Sequence, residues 1–124
     1  MFFLIDSSAT LMLNAESLSS IANDINTGSS VFKNIRDGAI EAVTADHVNT
    51  VENSAIEITG NRLSVTCSIR SGEIKAGAAA ALDFVFRICS GIIMHYFPYG
   101  DKTSTEITSI RDIHISEIRR SQKD

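Results

Sequence analysis

A chain of 124 residues with 44% hydrophobic and 21% charged content is one ordinary globular domain, 1–124, able to bury roughly two-thirds of its unfolded surface. Eleven basic against fifteen acidic side chains give a formal net charge of −4, which argues against bulk DNA or RNA binding, since that rests on many Lys and Arg contacts to phosphates. Two cysteines, Cys67 and Cys89, are too few for a disulfide framework and lie where apolar residues recur, so they read as core residues in a reducing, cytoplasmic setting.

The opening MFFLID has no basic n-region and meets Asp6 early, unlike a classical signal peptide. FFLI and ATLML read as two short strands, or one strand broken at DSS. Asn14 is placed to cap a helix over AESLSSIANDIN, in which Leu18, Ile21, Ala22 and Ile25 fall on one face, and Gly28 supplies its stop.

SVFKNI and AIEAVT flank Asp37-Gly38, which predicts a hairpin with a type I′ turn. A second hairpin is expected where AIEIT and RLSVTCSIR flank Gly60-Asn61. There Leu63, Val65, Cys67 and Ile69 alternate with Ser64, Thr66, Ser68 and Arg70, so one face is buried and the other polar. ADHVNTVENS, between the hairpins, fits a strand extension or a loop.

A long helix follows from Ser71 to Glu73 onward. Its apolar seam of Ala78, Leu82, Val85, Cys89, Ile92 and Tyr96 is widened by Phe84, Phe86, Ile88, Ile93 and Met94. The small residues 77–81 allow close approach to whatever it packs on. Residues 76–97 have the length of a membrane span, but Asp83 and Arg87 each cost roughly 2.5 to 3.5 kcal/mol at a span centre, so a core helix is the reading and no membrane is expected. The excess of bulky groups predicts a homo-oligomer. Phe97-Pro98-Tyr99-Gly100 ends the helix. Residues 105–118 read as a strand rich in Ile and Thr, with a bulge near Arg111-Asp112, and Arg119, Arg120 and Lys123 belong to a solvated tail. The expected fold is a single α+β domain, a mainly antiparallel sheet with two hairpins and one short and one long helix packed on it.

Chemistry is harder to find. Cys89 lies on the apolar seam and His95 is about 240° further round the helix, so no Cys–His pair forms locally. His47 reads as a solvated loop residue, and His114 points opposite to Ile113 and Ile115. The three histidines lack HxH or HExxH spacing, and the glycines form no phosphate-binding loop, so no metal and no cofactor is expected. The first functional expectation is therefore a non-catalytic interaction protein that binds and neutralises or sequesters a protein partner, of the immunity, antitoxin or defence-inhibitor type. An acidic surface suits a basic partner. The alternative is an oligomeric protein binding a small anionic, nucleotide-like ligand through Arg70, Tyr96, Tyr99 and Arg111, arginines for phosphate and tyrosines for stacking. A small hydrolase or nuclease is the third.

Overall fold

The computed structural model describes residues 2–13, 15–96 and 105–118, with residues 15–17 and 105–118 as backbone only. Strand β1 (Phe2–Leu13) runs unbroken through Asp6-Ser7-Ser8. Ile5, Ser7, Ala9, Leu11 and Leu13 are its buried positions, and Ser7 is small enough to occupy one of them. Two helices follow, α1 (Ala15–Thr27) and α2 (Ser30–His47), then β2 (Thr50–Thr59), β3 (Arg62–Ser71), α3 (Ile74–Tyr96) and β4 (Thr105–Ile118).

The sheet order is β2-β3-β1-β4 and every neighbouring pair is antiparallel. β1 and β2 are therefore parallel with β3 between them, and β3 and β4 are parallel with β1 between them. These two interleaved split βαβ units give the ferredoxin-like arrangement, with α1 and α2 together filling the first crossover. The fold is a single α+β domain. Register across β1 and β3 pairs Ile5 with Ile69, Ser7 with Cys67, Ala9 with Val65 and Leu11 with Leu63, so one face is apolar throughout. Gly60, at φ 63°, begins the two-residue loop that joins β2 to β3, as the Gly60-Asn61 pair predicts. β4 pairs Asp112 with Ser8 but Ser109 with Thr10, which places an extra residue at positions 110–111, where the change in isoleucine parity predicts a bulge.

Helix α3 lies on the apolar face. Ser71 starts it: its Oγ accepts from the Glu73 N–H at 3.1 Å and donates to the Glu73 carbonyl at 2.7 Å. Gly77 allows the helix to sit against β1, because a Cβ there would collide with Ile5 and come within 2.7 Å of Ser71 Cβ. Phe84, Val85, Ile88, Cys89 and Ile92 are fully buried between the sheet and the other helices. By length and composition α3 is apolar enough to cross a membrane, yet it serves here as the central core helix.

The segment expected to form the first hairpin is helix α2 instead. Ser29 caps it, its Oγ accepting from the Val31 N–H at 3.3 Å. Phe32, Ile35, Ala39 and Val43 recur at three, four and four residues and pack inward. Asp37-Gly38 has no turn to make: Asp37 pairs with Lys33 one helical turn back at 2.8 Å, and Gly38 is exposed on the outer side. Helical spacing summed over eighteen residues outweighs a two-residue turn signal. His47 consequently lies on the last turn of α2, not in a loop, and its Nε2 is 2.9 Å from Asp83 Oδ2 on α3. The Asn14 cap expected for α1, the 97–100 terminator and the tail lie outside the described residues.

Candidate functional site

Two local signals build a cleft at the β2 side of the molecule. Gly28, at φ 70°, closes α1, and the Ser29 N–H reaches back to the Asp24 carbonyl at 3.0 Å; this is the six-to-one bond of a Schellman stop. Ser29 then caps α2 at once, so the two helices meet in a tight corner. The second signal is the position of β2, whose partner among the described residues is β3 alone. Among the described residues nothing continues the sheet beyond it, and Ser54, Ile56 and Ile58, on its helix-facing side, remain half-buried.

Between the helix corner and this strand lies a cleft of about 300 Å³. Val65, Phe84 and Ile88 form its floor, and Ile25, Phe32 and Ile56 its apolar walls. Asp24, Lys33, Arg36 and Ser54 supply the polar lining. The Lys33 hydrogen bond, against a smaller opposing effect of desolvation, holds the Asp37 carboxyl below its ordinary value, and Arg36 Nε lies 3.7 Å from the same carboxylate. Beside the cleft, β2 is irregular at Glu52, where its register with β3 shifts, and regular over residues 53–59.

The residues singled out for a nucleotide-like ligand do not meet here. Arg70 and Tyr96 stand near opposite ends of α3, whose 23 residues span about 35 Å. Arg70 lies over the Phe2 ring, 5.4 Å from its centroid, with Nε 3.1 Å from Glu52 Oε1, an ion-pair distance without hydrogen-bond alignment. The Tyr96 hydroxyl is engaged by Asp24, and its ring stacks on Phe32 at 5.9 Å. Tyr99 and the side chain of Arg111 lie outside the described residues; the Arg111 backbone sits in the β4 bulge.

The nucleophile candidates are sequestered. Burial pushes the Cys67 thiol up to about 12 and the Cys89 thiol up to about 11, and Cys67 directs its S–H toward the Ala81 carbonyl at 3.8 Å. His95 is exposed and meets the Tyr96 ring edge-on at 4.8 Å. The His114 backbone lies opposite Asp6 in the sheet. Among the described residues no three His, Cys, Asp or Glu groups are placed to hold a metal ion.

A second surface lies on the outer side of the helical layer. Phe86 is 53% and Met94 74% exposed, beside a shallow groove between α2 and α3 that includes Gly38, Ser90 and Gly91. Arg87 lines the same groove, held by Asp83 at 3.1 Å and Asp46 at 3.0 Å. No protein-family model matches the chain, and no curated protein matches it significantly.

Proposed function

We propose that the protein is an interaction protein that takes a segment of a protein partner into the cleft between β2 and the α1–α2 corner. In doing so it neutralises or sequesters that partner, in the manner of an immunity, antitoxin or inhibitor protein. The observation that carries this reading is the coincidence of an apolar, partly charged cleft with an edge strand whose outward backbone groups have no partner among the described residues. Either feature alone is ordinary; together they offer main-chain and side-chain recognition in one place. The setting is a reducing, cytoplasmic one, in which Cys67 and Cys89 act as packing groups.

The same cleft volume lies at the lower end of the range for small-molecule sites, and Lys33 with Arg36 favours an anion, so a small anionic ligand is the second reading. The test is affinity capture from source-cell lysate with the native protein and with Ser54→Phe, which fills the cleft from a half-buried strand position. A stoichiometric partner captured by the native protein and lost in the folded variant supports the proposal. Equal capture by both, or a large thermal shift with a nucleotide and no protein partner, overturns it.

A further inference from the structure

We infer that the recognised segment is an extended strand that adds to the free edge of β2, and that its sequence alternates between the two faces. This rests on the protein-binding reading of the cleft. Over residues 53–59 the strand presents outward N–H and C=O groups that β3 does not use, and an added strand about 4.8 Å away satisfies them. Alternate side chains of that strand project toward the helices, where the sheet would otherwise end at Ile56. There the cleft accepts an apolar anchor against Ile25, Phe32 and Ile56, the partly exposed apolar residues of its lining.

Charge then sets the rest of the pattern. Of the ionic groups lining the cleft, the Asp24 carboxylate accepts from the Tyr96 hydroxyl, while Lys33 and Arg36 share Asp37, which stands outside the lining, through exposed pairs that are worth little and exchange readily for another carboxylate. A helix-facing position next to the anchor therefore takes Asp or Glu. On the opposite face β2 exposes Glu57, so positions facing that way take Lys, Arg or neutral residues. A second copy fits less well, because pairing β2 with its own twin sets Glu57 of both copies on one face of neighbouring strands.

The experiment selects peptides from a random displayed library on the immobilised full chain, then follows backbone amide exchange on adding the recovered peptide in synthetic form. The expected result is a consensus alternating an apolar or acidic residue with a basic or neutral one, and alternate amides of residues 53–59 exchanging at least about tenfold more slowly when bound. In Lys33→Glu/Arg36→Glu, two exposed sites, affinity for that peptide falls about tenfold and reselection favours basic residues at the acidic position. Recovery of no peptide overturns the inference, as does a free protein that is already dimeric with slow β2 amides. Peptides with helical spacing that leave those amides unchanged overturn strand addition while sparing the cleft. Undiminished peptide binding by Ser54→Phe removes the cleft reading itself.

Discussion

The Tyr96 hydroxyl donates to Asp24 Oδ2 at 2.5 Å, tying the last turn of α3 to α1 across 72 positions of sequence. Burial first, then the Asp24 hydrogen bond and charge, hold the phenol above its ordinary range. Tyr96→Phe is expected to lower stability by about 1 kcal/mol, read by urea denaturation at neutral pH.

The same contact has a pH signature. A phenol raised in the folded state contributes its full stability below the ordinary value of 10.0 and loses it as pH climbs from there toward the folded value. Cys67 and Cys89 act with the same sign from their ordinary 9.0 up to about 12 and 11. Stability therefore declines from about pH 9 upward. Tyr96→Phe flattens the part of the decline above 10.0, and Cys89→Ala the part between 9.0 and about 11; denaturation curves at successive alkaline pH values check both.

Two glycines are expected to respond oppositely to alanine. Gly38 sits inside α2 with open space around it, so Gly38→Ala stabilises by up to about 1 kcal/mol. Gly77 is where α3 touches β1, and Gly77→Ala forces a rearrangement costing about 1 to 3 kcal/mol. Thermal unfolding of the pair decides it: equal shifts of the same sign contradict the packing described.

What the sequence shows plainly follows from period. Leu63, Val65, Cys67 and Ile69 alternate, and β3 is a strand with those four buried. The α3 seam recurs at helical spacing, and its centre is buried. Residues 31–44 misled because a local turn pair competes there with a weaker helical stripe, in which Ala39 and Val43 are small and Phe32 and Ile35 lie on its other half. The cleft is not readable from any motif. It exists because β2 ends the sheet, and strand order is a property of long-range pairing that residues 50–59 do not encode by themselves.

Ser7 and Val48 each carry a local cost. Ser7 Oγ is buried without a hydrogen-bond partner among the described residues, so Ser7→Ala raises stability by about 1 kcal/mol. Val48 closes α2 at φ 54° while 88% exposed, a left-handed conformation that disfavours a branched side chain. Val48→Gly gains about 1 kcal/mol by relieving it. Denaturant midpoints, with unchanged slopes, test both.

The pressure toward self-association is smaller than α3 taken alone implies. α2 covers its second side, and Ile35 reaches to within 2.9 Å of where a Gly91 Cβ would stand. Among the bulky residues that widened the seam, Phe86 and Met94 are the ones left exposed. Burying them recovers at most about 1.5 to 3 kcal/mol per side chain, against an association cost of about 4 to 15 kcal/mol. Any assembly through this face is expected to be weak, visible in sedimentation only at high protein concentration and abolished by Phe86→Ser/Met94→Ser without loss of stability. A tight dimer surviving that double substitution contradicts the estimate.

The interleaved strand order also fixes a sequence of events at the ribosome. β1 is made first, yet its two neighbours are β3, beginning at Arg62, and β4, beginning at Thr105. At about 5 to 20 residues per second, β1 waits roughly 3 to 12 s for its first neighbour and longer for its second. A nascent chain with residues 1–71 clear of the ribosome has β1 paired on one side only, with the edge later occupied by β4 still bare. The earliest strand is thus the last to be enclosed, and that edge is the part of the fold a chaperone would meet during synthesis.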